Sequence, residues 1–198
     1  MKQDDISKNV TLRDGTVVLI RSTKVQDGQA LEAFFRSLPE EDRQFLRDDV
    51  TKPGFVDAYV GRFDYDRVIP IVAEHEGEIV SEATLYRTHH GWTSHVGVIR
   101  MVVGRSFQHR GLGTEMARVL VKVAISLALD KLVAEVVDNQ VGAKKAFEKL
   151  GFQHEATLKG HVKDIYGRRR DLFVMTNDVS YIWEAMESLV EHYMPSME

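Results

Sequence analysis

Six consecutive residues, Gln108-His109-Arg110-Gly111-Leu112-Gly113, carry the strongest chemical signal in this sequence. They follow a run of β-forming residues at 95–103. They also open a stretch in which Leu112, Met116, Leu120, Val123 and Leu127 recur at helical spacing. A glycine turn between a strand and a helix lets backbone N–H groups approach a ligand closely. The helix N-terminus adds unpaired donors and the positive end of a dipole, an arrangement that suits a pyrophosphate. Two other phosphate signatures fail: a dinucleotide fingerprint needs glycine where Met116 stands, and no Gly-Lys-Ser/Thr loop occurs. The competing reading is a plain strand-to-helix turn whose glycines only relieve crowding.

Two side chains in the neighbouring runs are candidate proton acceptors. Glu82 interrupts an apolar strand; its bland alternative is a solvent-facing position shared with Val80, Thr84 and Tyr86. His95 begins the strand that leads into the glycine turn, and is otherwise an edge histidine. Glu135 reads as structural. No metal site is expected, because His89 and His90 are adjacent in a turn and no H-E-x-x-H pattern occurs. The chain has no cysteine, which excludes disulfides, thiolate nucleophiles and zinc ribbons.

These residues need a scaffold, and 198 residues suffice for one domain with a sizeable core. A net charge of −4 opposes nucleic-acid binding, and Arg168-Arg169-Arg170 reads as a solvated turn. No apolar run approaches the roughly 20 residues that span a bilayer, so no membrane contact is expected. The polar start at 1–9 lacks the apolar segment of a secretory signal, and a cytoplasmic location is the expectation.

The elements follow from hydrophobic period. A strand at 16–21 follows an Asp14-Gly15 turn, and Ala30, Leu31, Phe34, Phe35 and Leu38 mark a helix ending before Pro39. A polar helical stretch runs on to Arg62. Strands at 68–73, 78–87 and 95–103, separated by Glu76-Gly77 and His90-Gly91, form an antiparallel meander. Helix 111–129 and strand 132–137 then make a parallel β-α-β crossover. Ala143, Ala146, Phe147 and Leu150 mark another helix closed by Gly151, and strands at 155–162 and 171–175 flank Tyr166-Gly167. The fold class is α/β: a mixed central sheet, antiparallel then locally parallel, with helices on both faces. Val179, Ile182, Trp183, Met186, Leu189, Val190 and Tyr193 add an amphipathic helix over 179–198, beyond a domain at 1–178. That helix either caps the domain's own core or makes a homodimer contact.

The glycine turn matches the Q/R-x-x-G-x-G/A signature of the GNAT superfamily of acyl-CoA N-acyltransferases. Downstream, Asn139 leads into Ala146-Phe147-Glu148-Lys149-Leu150-Gly151-Phe152, which resembles that superfamily's second signature. The resemblance spans 16–176 and implies the GNAT fold, with acetyl-CoA as co-substrate. It implies that Met101, Val102 and Val103 lie on a strand that splays from its parallel neighbour and faces the pantetheine arm. Amides of Gln108, His109, Arg110, Gly111, Leu112, Gly113 and Thr114 would hold the pyrophosphate. Asn139 would approach the pantetheine, and Phe147 would pack near the thioester. The implied reaction is acetyl transfer to a primary amine, on a protein lysine or a small molecule. The opening strand and Phe34-Phe35-Arg36-Ser37-Leu38 also resemble GNAT domains associated with acyl-CoA synthetase-like proteins, several of which act on protein lysines.

Three departures from the family pattern bear on chemistry. Val98 stands where lysine-modifying relatives carry a glutamate, and Phe147 where many members carry a tyrosine acid. Gln140, not Asn139, holds the strict position of the second signature. A lysine amine of pKa about 10.4 costs roughly 4–5 kcal/mol to deprotonate at pH 7, so a base is needed elsewhere. A module that senses acyl-CoA without turnover is the alternative function.

Overall fold

The computed structural model describes residues 6–44, 46 and 48–179. Its eight strands are β1 (Ser7–Thr11), β2 (Val17–Ser22), β3 (Val68–His75), β4 (Glu78–Tyr86), β5 (Val96–Val103), β6 (Lys131–Val137), β7 (Gln153–Lys163) and β8 (Arg169–Asp178). They form one sheet in the order β1-β2-β3-β4-β5-β6-β8-β7. Every neighbouring pair is antiparallel except β5–β6, which is parallel because α4 (Leu112–Ser126) crosses between them.

The period-two pattern of the strands divides the core between two faces. On one, Leu112, Met116 and Leu120 of α4 and Phe147 of α5 (Val141–Glu148) pack over Ile20, Ile71, Ala83, Leu85 and Ile99. On the other, Leu31, Phe34 and Phe35 of α1 (Gly28–Ser37) meet Val56, Tyr59 and Val60 of α3 (Phe55–Val60), over Val72 and Val102. A four-residue α2 (Glu40–Arg43) links them. None of the helices is long and apolar enough to cross a membrane among the described residues.

The expected meander, crossover and two-faced arrangement are present, with three differences. β1 was not legible, because only Val10 of Ser-Lys-Asn-Val-Thr is buried on this edge strand. The helical stretch expected up to Arg62 is broken into α2 and α3, with Gly54 in a left-handed conformation (φ 75°) between them. Finally, β8 inserts between β6 and β7, a long-range pairing that local pattern does not reveal. Val179 is buried and donates its N–H to Asp130 O at 2.7 Å; the rest of the expected C-terminal helix lies outside the described residues.

At the paired end of β5, Gly97 permits an unusually close approach. A Cβ there would stand 2.8 Å from Leu85 Cδ1 and 2.9 Å from both Leu129 Cδ1 and Leu132 Cδ2. Gly97→Ala should therefore overpack the core and cost about 1–3 kcal/mol. Urea unfolding would show a lower midpoint at unchanged slope; an unchanged midpoint would mean the neighbouring leucines repack freely.

Candidate active site

The parallel pair β5–β6 is joined over four residue pairs only, from Val96↔Lys131 to Ile99↔Ala134. Beyond them Met101, Val102 and Val103 pair with Ala83, Glu82 and Ser81 of β4, while Glu135, Val136 and Val137 pair with β8. The two strands thus part and leave an opening inside the sheet. Gly104 N donates to Val80 O at 2.9 Å and Val102 O accepts from Ser81 Oγ at 2.8 Å, so both point toward β4. By strand alternation Met101 and Val103 turn their N–H and C=O groups toward the opening. Val103 O is taken by Gln108 Nε2 at 3.1 Å, and across the gap Val137 N donates to Gln140 Oε1 at 3.0 Å.

The glycine turn follows at the end of β5. A single 3-10 turn, Arg105–Phe107, leads to His109 (φ 61°) and Gly111 (φ 97°), which caps α4. None of the six amides from His109 to Thr114 has a well-formed hydrogen bond to another described residue; Glu115 N, bonded to Gly111 O at 3.2 Å, is the first that does. The turn is nonetheless held in place. Arg13 N donates to Arg110 O at 3.1 Å, Arg110 pairs with Asp14 at 2.9 Å, and Arg110 lies over the Phe107 ring. The His109 ring sits beside Gly142 at the start of α5, 3.6 Å from where a Cβ would be. A cleft of about 190 Å³ beside Gly111 and Thr114 is lined by Arg13, Arg110, Arg118 and Lys149. Glu115, which pairs with Arg118, lines it as well, and basic side chains beside unpaired amides are an arrangement that suits phosphate groups.

On the opposite face of the sheet, the structure removes the alternative of a solvent-facing Glu82. α1 and α3 cover this face, and Glu82 is 6% exposed. Tyr59 OH donates to Glu82 Oε1 at 2.7 Å and Thr84 Oγ1 donates to the same oxygen at 2.5 Å. Burial pushes the carboxyl up to about 7, against the hydrogen bonds from Thr84 and Tyr59 and the charge of Arg100. The same burial, with the Glu82 charge beside them, raises the Tyr59 and Tyr86 phenols. Glu82 faces Val102 directly across the β4–β5 ladder, so it stands beside the parted segment of β5.

The other expected site residues divide. His95 is exposed and precedes β5, roughly 26 Å of extended chain from Val103, so the structure does not bring it to the opening. Asn139 is exposed in the turn after β6, while Gln140 caps α5 and spends its side-chain oxygen on Val137 N. Phe147 is 4% exposed and packs on Phe152 with ring centroids 4.9 Å apart, in the core beneath α4. Tyr59, Thr84 and Arg100 were not anticipated. Thr84 and Arg100 are register partners, and their polarity inside apolar strands was the available signal. Among the described residues no group of three His, Asp or Glu side chains could hold a metal ion.

Glu82 yields a pH test of this environment. A folded-state pKa raised from 4.5 to about 7 contributes stability that is full below about pH 4.5 and lost as pH rises through 7. Between about pH 5 and pH 8 the wild type should lose stability relative to Glu82→Gln, by on the order of 3 kcal/mol. Parallel urea-unfolding stability curves for the two proteins would show that the carboxyl titrates as if exposed.

Comparison with known proteins agrees with this geometry. No curated protein is similar enough in sequence to match the chain. Among solved structures, the GNAT domain of S. lividans PAT superposes with a TM-score of 0.71 at 19% identity, covering 87% of this chain and 96% of that one. Mycobacterium smegmatis RimJ, in complex with CoA-disulfide, gives 0.71 at 21% identity, covering 90% of each chain. Ribosomal-protein-S5-alanine acetyltransferase from Vibrio fischeri gives 0.72 at 14% identity, covering 88% and 97%. At these identities the likeness is one of fold. The sequence profile of the acetyltransferase (GNAT) family matches residues 31–152, more than half of the chain, and the protein belongs to that family.

Proposed function

We propose that the protein transfers an acetyl group from acetyl-CoA to a primary amine by direct attack in a ternary complex. The observation that carries this reading is the pairing of an opened β5–β6 edge with a turn of unpartnered amides at its mouth. The amides from His109 to Thr114 receive the pyrophosphate, and Arg13, Arg110, Arg118 and Lys149 give the adjoining cleft an excess of basic groups over Glu115. The pantetheine arm enters the opening as a surrogate strand and pairs with the backbone groups of Met101 and the N–H of Val103, whose carbonyl is held by Gln108. Its thioester then lies beside β5, where an N–H of this segment can bond the tetrahedral oxyanion.

The amine nitrogen attacks the thioester carbon, the C–S bond breaks, and the nitrogen gives up a proton. Glu82 is the base, reached through the Tyr59 and Thr84 hydroxyls already bonded to it. A carboxyl near 7 is matched to work at neutral pH. Phe147 cannot donate a proton, so the coenzyme departs as thiolate, which a thiol pKa of about 8.5 permits.

Two variants separate donor binding from chemistry. Gly111→Val forces a β-branched residue into φ 97° and should weaken acetyl-CoA binding by about tenfold or more, with an unchanged circular dichroism spectrum. Unchanged affinity in calorimetry would remove the turn from the donor site. Glu82→Gln should lower kcat by about 10²–10⁴-fold, leave acetyl-CoA affinity intact and abolish the inflection near pH 7 in thiol release. Acetyl-CoA binding without thiol release on a broad amine panel would make the protein an acyl-CoA sensor instead.

A further inference from the structure

Arg100 is the first residue of β5 beyond its last pair with β6, so it stands where the opening begins. Alternation places its side chain on the face of Val102 and Glu82, opposite the face on which α4 packs. The phosphate turn belongs to the α4 face. An acyl group that enters from there through the opening meets its acceptor on the face that carries Glu82 and Arg100.

The guanidinium of Arg100 lies over the Tyr86 ring, 4.6 Å from its centroid. Its Nε is buried and has no hydrogen-bond partner. Among the described residues Arg100 forms no ion pair, whereas Arg21 is held by both Asp27 and Glu74. The nearby Glu82 instead accepts from Tyr59 and Thr84. A buried guanidinium N–H left unmet is unfavourable, and the planar fork of arginine fits a carboxylate with two parallel bonds.

We propose that Arg100 is a specificity-determining residue that binds a carboxylate of the acceptor, and that the acceptor is a free α-amino acid. This rests on the acetyl-transfer reading above and names its substrate class. The row of Arg100 and Thr84 is two residues, roughly 7 Å, from the row of Glu82 and Val102. Both side chains lie on one face of adjacent strands, so a single small acceptor can turn its amine toward the Glu82–Tyr59–Thr84 cluster while its carboxylate rests on Arg100. The main chain of a peptide or protein offers one neutral carbonyl oxygen at the same place, which can accept a hydrogen bond but supplies neither the second oxygen nor the negative charge that the fork of Arg100 fits.

The test is thiol release from acetyl-CoA with a panel of amino acids, their carboxamides and the corresponding decarboxylated amines. Free amino acids should be preferred by about 100-fold in kcat/KM. Arg100→Met should raise KM for the amino acid and bring the preference close to one, while the affinity for acetyl-CoA holds. Arg100→Lys should restore part of the preference. A fall of equal size for acid and amide substrates would make Arg100 merely structural and overturn the proposal, as would a wild-type preference for amides or peptides.

Calorimetry of amino acids against the protein–CoA complex separates this proposal from its parent. Amino-acid binding that Arg100→Met abolishes supports the carboxylate site even if no thiol is released, an outcome that defeats only the transferase reading. No amino-acid binding to a complex that does hold CoA overturns the carboxylate site itself.

Discussion

The organisation of this protein depends on two parallel strands that touch at one end and part at the other. An unpaired backbone edge inside a sheet is costly unless something satisfies it, and here each strand is held firmly on its outer side. β4 follows β5 through Val103, and β8 follows β6 through Val137. The joined end is pinned by the close packing of Leu85, Leu129 and Leu132 around Gly97. The parted end keeps its shape through side-chain substitutes for missing ladder bonds, Gln108 on Val103 O and Gln140 on Val137 N. The opening is therefore a built feature of the sheet and does not depend on strand motion.

The glycine turn is aligned with that opening by contacts from both directions. The β1–β2 hairpin reaches it through Arg13 and Asp14, and β5 reaches it through Gln108. Six amides in succession are left unbonded while the residues on either side are tied down. Such a surface can receive a phosphate without first reorganising, which lowers the entropy cost of binding. The edge hairpin, remote in sequence from the turn, thus has a positioning role that its polar composition concealed.

What was legible in the sequence is what backbone conformation dictates locally. The turn at 108–113 could be read because a left-handed residue before a helix calls for glycine, and Gly111 takes φ 97°. The alternation of Glu82, Thr84 and Tyr86 was equally visible, but alternation says which residues share a face and not whether that face is covered. The cover includes α3, six residues long, which falls within a stretch read as polar and helical, so its buried face of Val56, Tyr59 and Val60 went unread. Phe147 shows a different limit: its place on an apolar stripe matched its burial against Phe152, while the family likeness had drawn it toward the ligand. His95 was correctly placed beside β5 but at the wrong end, since a strand's sequence does not show which end meets the opening.

Glu82 and Arg100 stand in an opposition that gives the site its chemical character. Desolvation raises the carboxyl, and the hydroxyls of Thr84 and Tyr59 and the charge of Arg100 pull it back, to about 7. The two charges are near enough to interact, yet Glu82 bonds hydroxyls and Arg100 stacks on Tyr86, so neither neutralises the other by direct pairing. With an acceptor carboxylate on Arg100, part of the positive charge that holds Glu82 down is neutralised. The carboxylate's own negative charge then acts on Glu82 in the same direction. The pKa of Glu82 rises, and the gap between it and the ammonium group of the acceptor narrows. On the reading proposed above, occupancy of Arg100 would thereby bring the proton affinity of Glu82 closer to that of the amine it is to deprotonate. A site with Glu82 already paired to Arg100 would have no such coupling, because the carboxylate would be held ionised and weak as a base whether or not the acceptor had bound.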